Sequence, residues 1–164
     1  MHSILTESFG LQFRPSFLRD GQFYLAIAIA PLPLIALSYL APGWNTGMHA
    51  GTATIFSLVI WQPLVEELLF RGFIQGRFEQ WRRAREKFLF FSLANYCTTL
   101  LFVAAHLFNQ SAWWAAAVAV PSLLFGYFRD RHENIYPSIV LHASYNACYL
   151  AFGTLQKNAM PIGG

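Results

Sequence analysis

The chain has 164 residues, of which 55% are hydrophobic, 17% aromatic and only 12% charged, against roughly 45 to 50% apolar and about 25% charged in an average soluble domain. Its formal charge is +3 and its mean hydropathy +0.39, more apolar surface than one core of this size hides from water, so an ordinary soluble domain, a disordered chain and a disulfide scaffold are all excluded. Lipid is the solvent such a composition fits.

Residues 1–22, with Arg14, Pro15, Arg19 and Asp20, read as a cytoplasmic or interfacial lead-in. An apolar run from Phe23 to Leu40 approaches the ~20 residues of a bilayer span and is kinked at Pro31 and Pro33, which argue for a retained span over a cleaved signal peptide. The sequence Ala41-Pro42-Gly43-Trp44-Asn45 predicts a turn with an interfacial aromatic. A second run extends from about Met48 to Phe70 and carries Glu66 and Glu67 near its end. Six of the eleven basic residues follow in one stretch, Arg71, Arg77, Arg82, Arg83, Arg85 and Lys87, which predicts an amphipathic surface helix over 71–87. Between apolar runs, such a cluster is what the positive-inside rule expects of a cytoplasmic loop and does not indicate nucleic acid. Further runs cover Phe88–Phe108, Ala112–Phe128 and Pro137–Phe152, separated by Asn109-Gln110-Ser111 and by a polar turn from Arg129 to Asn134.

The expected fold is therefore all-α: about five transmembrane helices, or six, around a polar intramembrane cavity, with one membrane domain over residues 23–152 and a tail over 153–164. Placing the N-terminus inside assigns ten of eleven Lys and Arg to the cytoplasm and leaves Lys157 outside. Cys97 and Cys148 lie within apolar runs and read as buried thiols.

Ionisable residues inside spans are costly and are functional candidates by default. Here they are Glu66, Glu67, His106 and His142, with Asn146 beside them. Adjacent helical residues point about 100° apart, so the two glutamates face different partners. Glu67 and Arg71 stand at i and i+4, an ion-pair spacing, which leaves Glu66 as the proton-transfer candidate. A plainer alternative is that both acids cap the wet end of a span. Phe102 can pack over His106, and Ser138, His142 and Asn146 form one polar stripe that either bonds helices together or lines a wet cavity. A carboxylate and an imidazole can activate water, while an imidazole and a carboxamide can stabilise an oxyanion. Two His and one Glu could equally hold catalytic zinc, although no His-Glu-x-x-His is present. Straight spans would put Glu66 and His106 at opposite depths, unless the second span continues past Arg71 toward Arg77, or the third starts later than Phe88 and continues beyond Asn109-Gln110-Ser111.

The segments Glu66-Glu67-Leu68-Leu69-Phe70-Arg71-Gly72, Phe102-Val103-Ala104-Ala105-His106 and His142-Ala143-Ser144-Tyr145-Asn146 resemble, in order and spacing, the motifs of the CPBP family of intramembrane glutamic proteases, which includes the CAAX prenyl endopeptidases and Abi proteins. The resemblance covers roughly residues 55–150. It implies that Glu66 and His106 activate water, that His142 and Asn146 stabilise the oxyanion, and that Glu67, Arg71 and Phe102 support the site, with no metal or cofactor. It further implies a prokaryotic inner-membrane protein whose partners are the bilayer and a peptide or protein substrate, such as a C-terminal sorting signal or lipidated peptide. The competing functions are a non-catalytic membrane immunity or scaffold protein of the same fold, a zinc-dependent hydrolase using the same residues, and a small ion carrier.

Overall fold

A computed structural model describes residues 9–40 and 51–159. The expected turn at residues 41–45 lies outside the described residues. The chain is mostly helical, and its elements follow from local sequence signals. Asp20 accepts a hydrogen bond from the Gln22 amide at 2.9 Å and so caps α1 (Gly21–Ile29). Pro31, which has no amide hydrogen, separates it from α2 (Leu32–Leu40). Ser92 caps α4 (Leu93–His106) through the Asn95 amide, and Ser111 caps α5 (Ala112–Ala117) through Trp114. The helix α6 (Ala119–His132) stops where Glu133 turns left-handed, at φ 53°. The Asn134 side chain then accepts from the Tyr136 amide at the start of α7 (Tyr136–Ala159).

Between α2 and α4 runs α3, a continuous 27-residue helix over Thr52–Phe78. At ~1.5 Å per residue it is about 40 Å long, enough to cross a bilayer. Among the described residues it is the one helix both long and apolar enough to do so; the helices over Gly21–Ala36 and Leu93–His106 are apolar but shorter. Two stretches of α3, Ser57–Trp61 and Leu68–Gln75, are wound wider than an α-helix. Pro63 explains the first, since its missing amide leaves upstream carbonyls without a donor and a wider turn accommodates the break.

The basic stretch departs from expectation. Residues 71–78 continue α3, Arg82–Arg85 form a single tight turn, and Lys87–Phe88 (β1) pairs antiparallel with Phe91–Ser92 (β2). No amphipathic surface helix forms over 71–87, because Arg71 and Gln75 are fully buried partners of other helices and not a solvated face. The third apolar run becomes helical only at Leu93, and the fourth breaks at Val118. The expected polar turn at Arg129 is instead the last turn of α6. His132, expected in a loop, ends that helix with its Nε2 3.1 Å from Asp20 Oδ2.

The helix α6 sits centrally, packed on both α4 and α7. Phe17 from the N-terminal segment, Phe23 and Ala26 of α1, Phe125 and Phe128 of α6 and Leu141 of α7 form the buried cluster. The α4–α6 crossing is close because residue 126 is glycine: a Cβ there would lie 2.1 Å from Asn95 Oδ1 and 2.4 Å from its Cγ. Asn95 is held in turn by the Leu123 carbonyl at 2.9 Å. Gly126→Ala is therefore expected to destabilise by about 1–3 kcal/mol through overpacking, read as a lowered Tm in detergent. Asn95→Ala on top of it should recover part of the loss, and an unchanged Tm for the single variant would contradict this contact.

Candidate active site

The depth conflict between Glu66 and His106 is resolved by the length of α3. Glu66 lies twelve residues before Phe78, and His106 thirteen residues after Leu93. Along α3 and α4 those separations are about 18 and 20 Å from the same basic end, so the two residues reach similar depth. Of the two solutions open to the sequence, the first holds, since α3 continues past Arg71; of the second, the later start is seen, at Leu93, but α4 ends at His106.

The glutamates diverge as helical geometry requires. Glu67 is fully buried, its Oε2 3.3 Å from Nε of the equally buried Arg71. Its Oε1 lies 2.8 Å from His142 Nδ1 on α7. A carboxylate only accepts, so this nitrogen carries the proton and the ring is fixed in orientation. His142 Nε2 then faces Glu66 Oε2 at 3.9 Å, beyond direct hydrogen bonding. Glu66, with 29% of its side chain exposed, is the open edge of the site, whereas His142 is only 9% exposed.

His106 is constrained at the same ring nitrogen. Its Nδ1 lies 2.9 Å from the Phe102 carbonyl, which can only accept, so Nδ1 carries hydrogen and Nε2 is left with a lone pair. Phe102 covers the ring, centroids 4.4 Å apart. Both imidazoles lie within electrostatic range of Glu66. Asn146 donates through Nδ2 to the Leu58 carbonyl at 2.8 Å, within the widened turn that Pro63 opens in α3. A carboxamide nitrogen has a second hydrogen, so one donor remains.

All seven sequence-derived residues, Glu66, Glu67, Arg71, Phe102, His106, His142 and Asn146, thus belong to the contact region of α3, α4 and α7. Several of their supports were not read from the sequence. Phe125 stacks on His142 at 5.1 Å with an interplanar angle of 23°. The Arg71 guanidinium lies between Phe102 and Phe125, 4.9 and 5.7 Å from their centroids, and donates to Ser122 Oγ and O, both at 2.8 Å. Thr99 joins that hydroxyl at 3.0 Å. Ser138, the first residue of the α7 stripe, donates to the Phe125 carbonyl, so this part of the stripe bonds helices together. The available signal was Ser122 and Gly126, small residues four apart in an apolar helix, which mark a close helix crossing.

Toward the basic end, Gln75 donates to Asp130, and the Ser92 hydroxyl donates to the other oxygen of the same carboxylate. Burial pushes the Glu79 carboxyl up to about 8, against the pull of Arg129, whose Nη1 is 2.6 Å away. Glu79, Arg129 and Asp130 line a cleft of about 490 Å³ that does not include the Glu66 site. Cys97 and Cys148 are free and half-buried, and Ser144 donates its hydroxyl to Val140 O within α7. Among the described residues no three His, Cys, Asp or Glu side chains are arranged as ligands of one metal ion.

A family model described as Rce1-like, type II CAAX prenyl endopeptidase, matches residues 48–148, which contain every residue of this site. Neither a curated protein nor a solved structure gives a significant match.

Proposed function

The chain belongs to the Rce1-like, type II CAAX prenyl endopeptidase family, a family of helical membrane proteases, and from that premise we propose that it hydrolyses a peptide bond of a membrane-associated or exported substrate with water activated by Glu66. The observation that carries this reading is the placement of His142, its Nδ1 held by buried Glu67 at 2.8 Å and its Nε2 turned to Glu66 at 3.9 Å.

The chemistry follows from which atoms hold protons. Glu66 and the His106 Nε2 lone pair accept from a water, and its oxygen attacks the substrate carbonyl carbon as the proton passes to Glu66. In the proposed step His142 donates Nε2–H to the resulting oxyanion while Nδ1–H stays with Glu67, and the second Asn146 amide hydrogen adds another donor. The proton on Glu66 then passes to the leaving nitrogen as the carbon–nitrogen bond breaks, which restores the carboxylate. Glu67 orients His142 as the acid of a catalytic triad orients its histidine. Arg71 gives Glu67 a positive partner at 3.3 Å, and Phe102 and Phe125 exclude water from the ring faces.

In this reading residues 23–152 form one membrane domain of about five spans, flanked by residues 1–22 and 153–164, in a prokaryotic cell membrane with the N-terminus and basic loops cytoplasmic. The basic residues at the joined ends of α3, α4 and α6 support that orientation. Substrates are peptides whose cleavage site reaches the depth of Glu66.

Water as nucleophile makes every thiol and the nearby hydroxyl dispensable. A Cys97→Ala, Cys148→Ala, Ser144→Ala variant is expected to cleave within about twofold of wild type, read as new peptide termini in membranes, and a strong chelator to leave the rate unchanged. Loss of cleavage in the triple variant would assign a covalent nucleophile, and loss to chelator restored by zinc would assign a metal hydrolase.

A further inference from the structure

The hairpin between α3 and α4 has an unusual tip. Phe88, Leu89 and Phe90 are 71%, 73% and 73% exposed, and β1 and β2 are joined by only Leu89 and Phe90. Leu89 is left-handed at φ 56°, where a two-residue hairpin loop ordinarily uses Asn, Asp or Gly. A backbone outlier retained with a large apolar side chain points to a use for that side chain. The base of the hairpin is fixed, since Tyr96 donates its hydroxyl to the Phe88 carbonyl and the Leu93 amide bonds the Glu86 carbonyl.

The tip also has a defined depth. Phe90 lines a groove of about 340 Å³ with Phe91, Leu25 and Ile29 of α1 and Leu124 of α6. Leu25 and Ile29 are four and eight residues into α1, about 6 and 12 Å from its start, and are themselves 61% and 39% exposed. The tip is therefore continuous with the lipid-facing side of an apolar helix. Directly before it Arg82, Arg83, Arg85 and Lys87 are all exposed, beside Trp81 at 66%. A hairpin cannot satisfy all its backbone groups in hydrocarbon, which limits it to the interface.

We propose that Trp81–Ser92 is a membrane-interface anchor for an anionic leaflet: Phe88, Leu89 and Phe90 enter the acyl-chain boundary beside α1, and Arg82, Arg83, Arg85 and Lys87 bind acidic phospholipid headgroups. Apolar insertion sets its depth and charge sets its lipid preference. The anchor does not rest on the catalytic reading.

The test uses the full chain in phosphatidylcholine/phosphatidylglycerol vesicles, with Cys97 and Cys148 replaced by Ser and a bimane fluorophore on Leu89→Cys or, for comparison, Gln80→Cys. A spin label at carbon 5 of the acyl chain is expected to quench position 89 at least threefold more than position 80, with aqueous iodide giving the reverse order. Spin-labelled phosphatidylglycerol should quench position 89 at least twofold more than phosphatidylcholine, and replacing the four basic residues with Gln should make the two lipids equal. Equal iodide quenching at both positions would overturn the insertion, and equal quenching by the two lipids in the unmodified sequence would overturn the anionic preference. If Leu89→Cys does not fold, the label on Phe90→Cys gives the same pair of readings.

Discussion

Glu66→Gln is expected to lower the rate of peptide hydrolysis by about 10²–10⁴-fold, the contribution of a positioned general base, with the unfolding temperature nearly unchanged. Gln keeps the side-chain shape and loses only the ability to take the proton. Glu66 is 29% exposed and its contact with His142 Nε2 is long, at 3.9 Å, so its charge adds little to the packing. Glu67→Gln should behave differently, because Glu67 is fully buried against Arg71 and His142. It is expected to lose both activity and stability. A Glu66→Gln variant that cleaves at the wild-type rate would remove this residue from the chemistry, and one that fails to fold would make it structural.

The largest stability effect is expected at Arg71. Removing one member of a buried pair leaves the other charge uncompensated, typically at a cost of about 3–5 kcal/mol. Arg71→Ala would also empty the space between Phe102 and Phe125 and remove the donor shared by the Ser122 carbonyl and hydroxyl, leaving that hydroxyl its bond with Thr99. Arg71→Lys should not rescue it, since an ammonium cannot reproduce a planar group that faces Glu67, lies between two rings and donates twice at Ser122. Replacing both Glu67 and Arg71 with apolar residues of similar volume should recover part of the stability but none of the activity. Unfolding in detergent, followed by temperature or denaturant, measures both, and a loss under 1 kcal/mol for Arg71→Ala would contradict the packing described for α3, α4 and α6.

The candidate residues stand out in the sequence because ionisable groups in apolar runs are few, and the i, i+4 spacing of Glu67 and Arg71 predicts the pair that forms. The continuation of α3 to Phe78 was open to the sequence as one of two solutions, but the sequence did not choose it. Arg71 and Gln75 look like the start of a surface segment, and only the presence of Ser122 and Gly126 across the interface makes them interior. The hairpin was equally hidden, as Leu89-Phe90 lacks the residues that mark a two-residue turn. Asn146 shows the same limit from another side: its place in the polar stripe was clear, but its bond to Leu58 depends on how Pro63 widens a distant helix. Local spacing finds which groups share a face. Which carbonyl or carboxylate each of them meets is decided by other helices.

The most direct measurement compares peptide termini in membrane and secreted fractions of native cells expressing wild type or Glu66→Gln at matched protein levels. Uncleaved peptides accumulating in the variant, with their cleaved termini present only in wild type, are the predicted result and would identify the substrate together with the activity. Identical terminus profiles, alongside a biological phenotype that still requires the protein, would contradict the protease account and leave a membrane scaffold of the same fold.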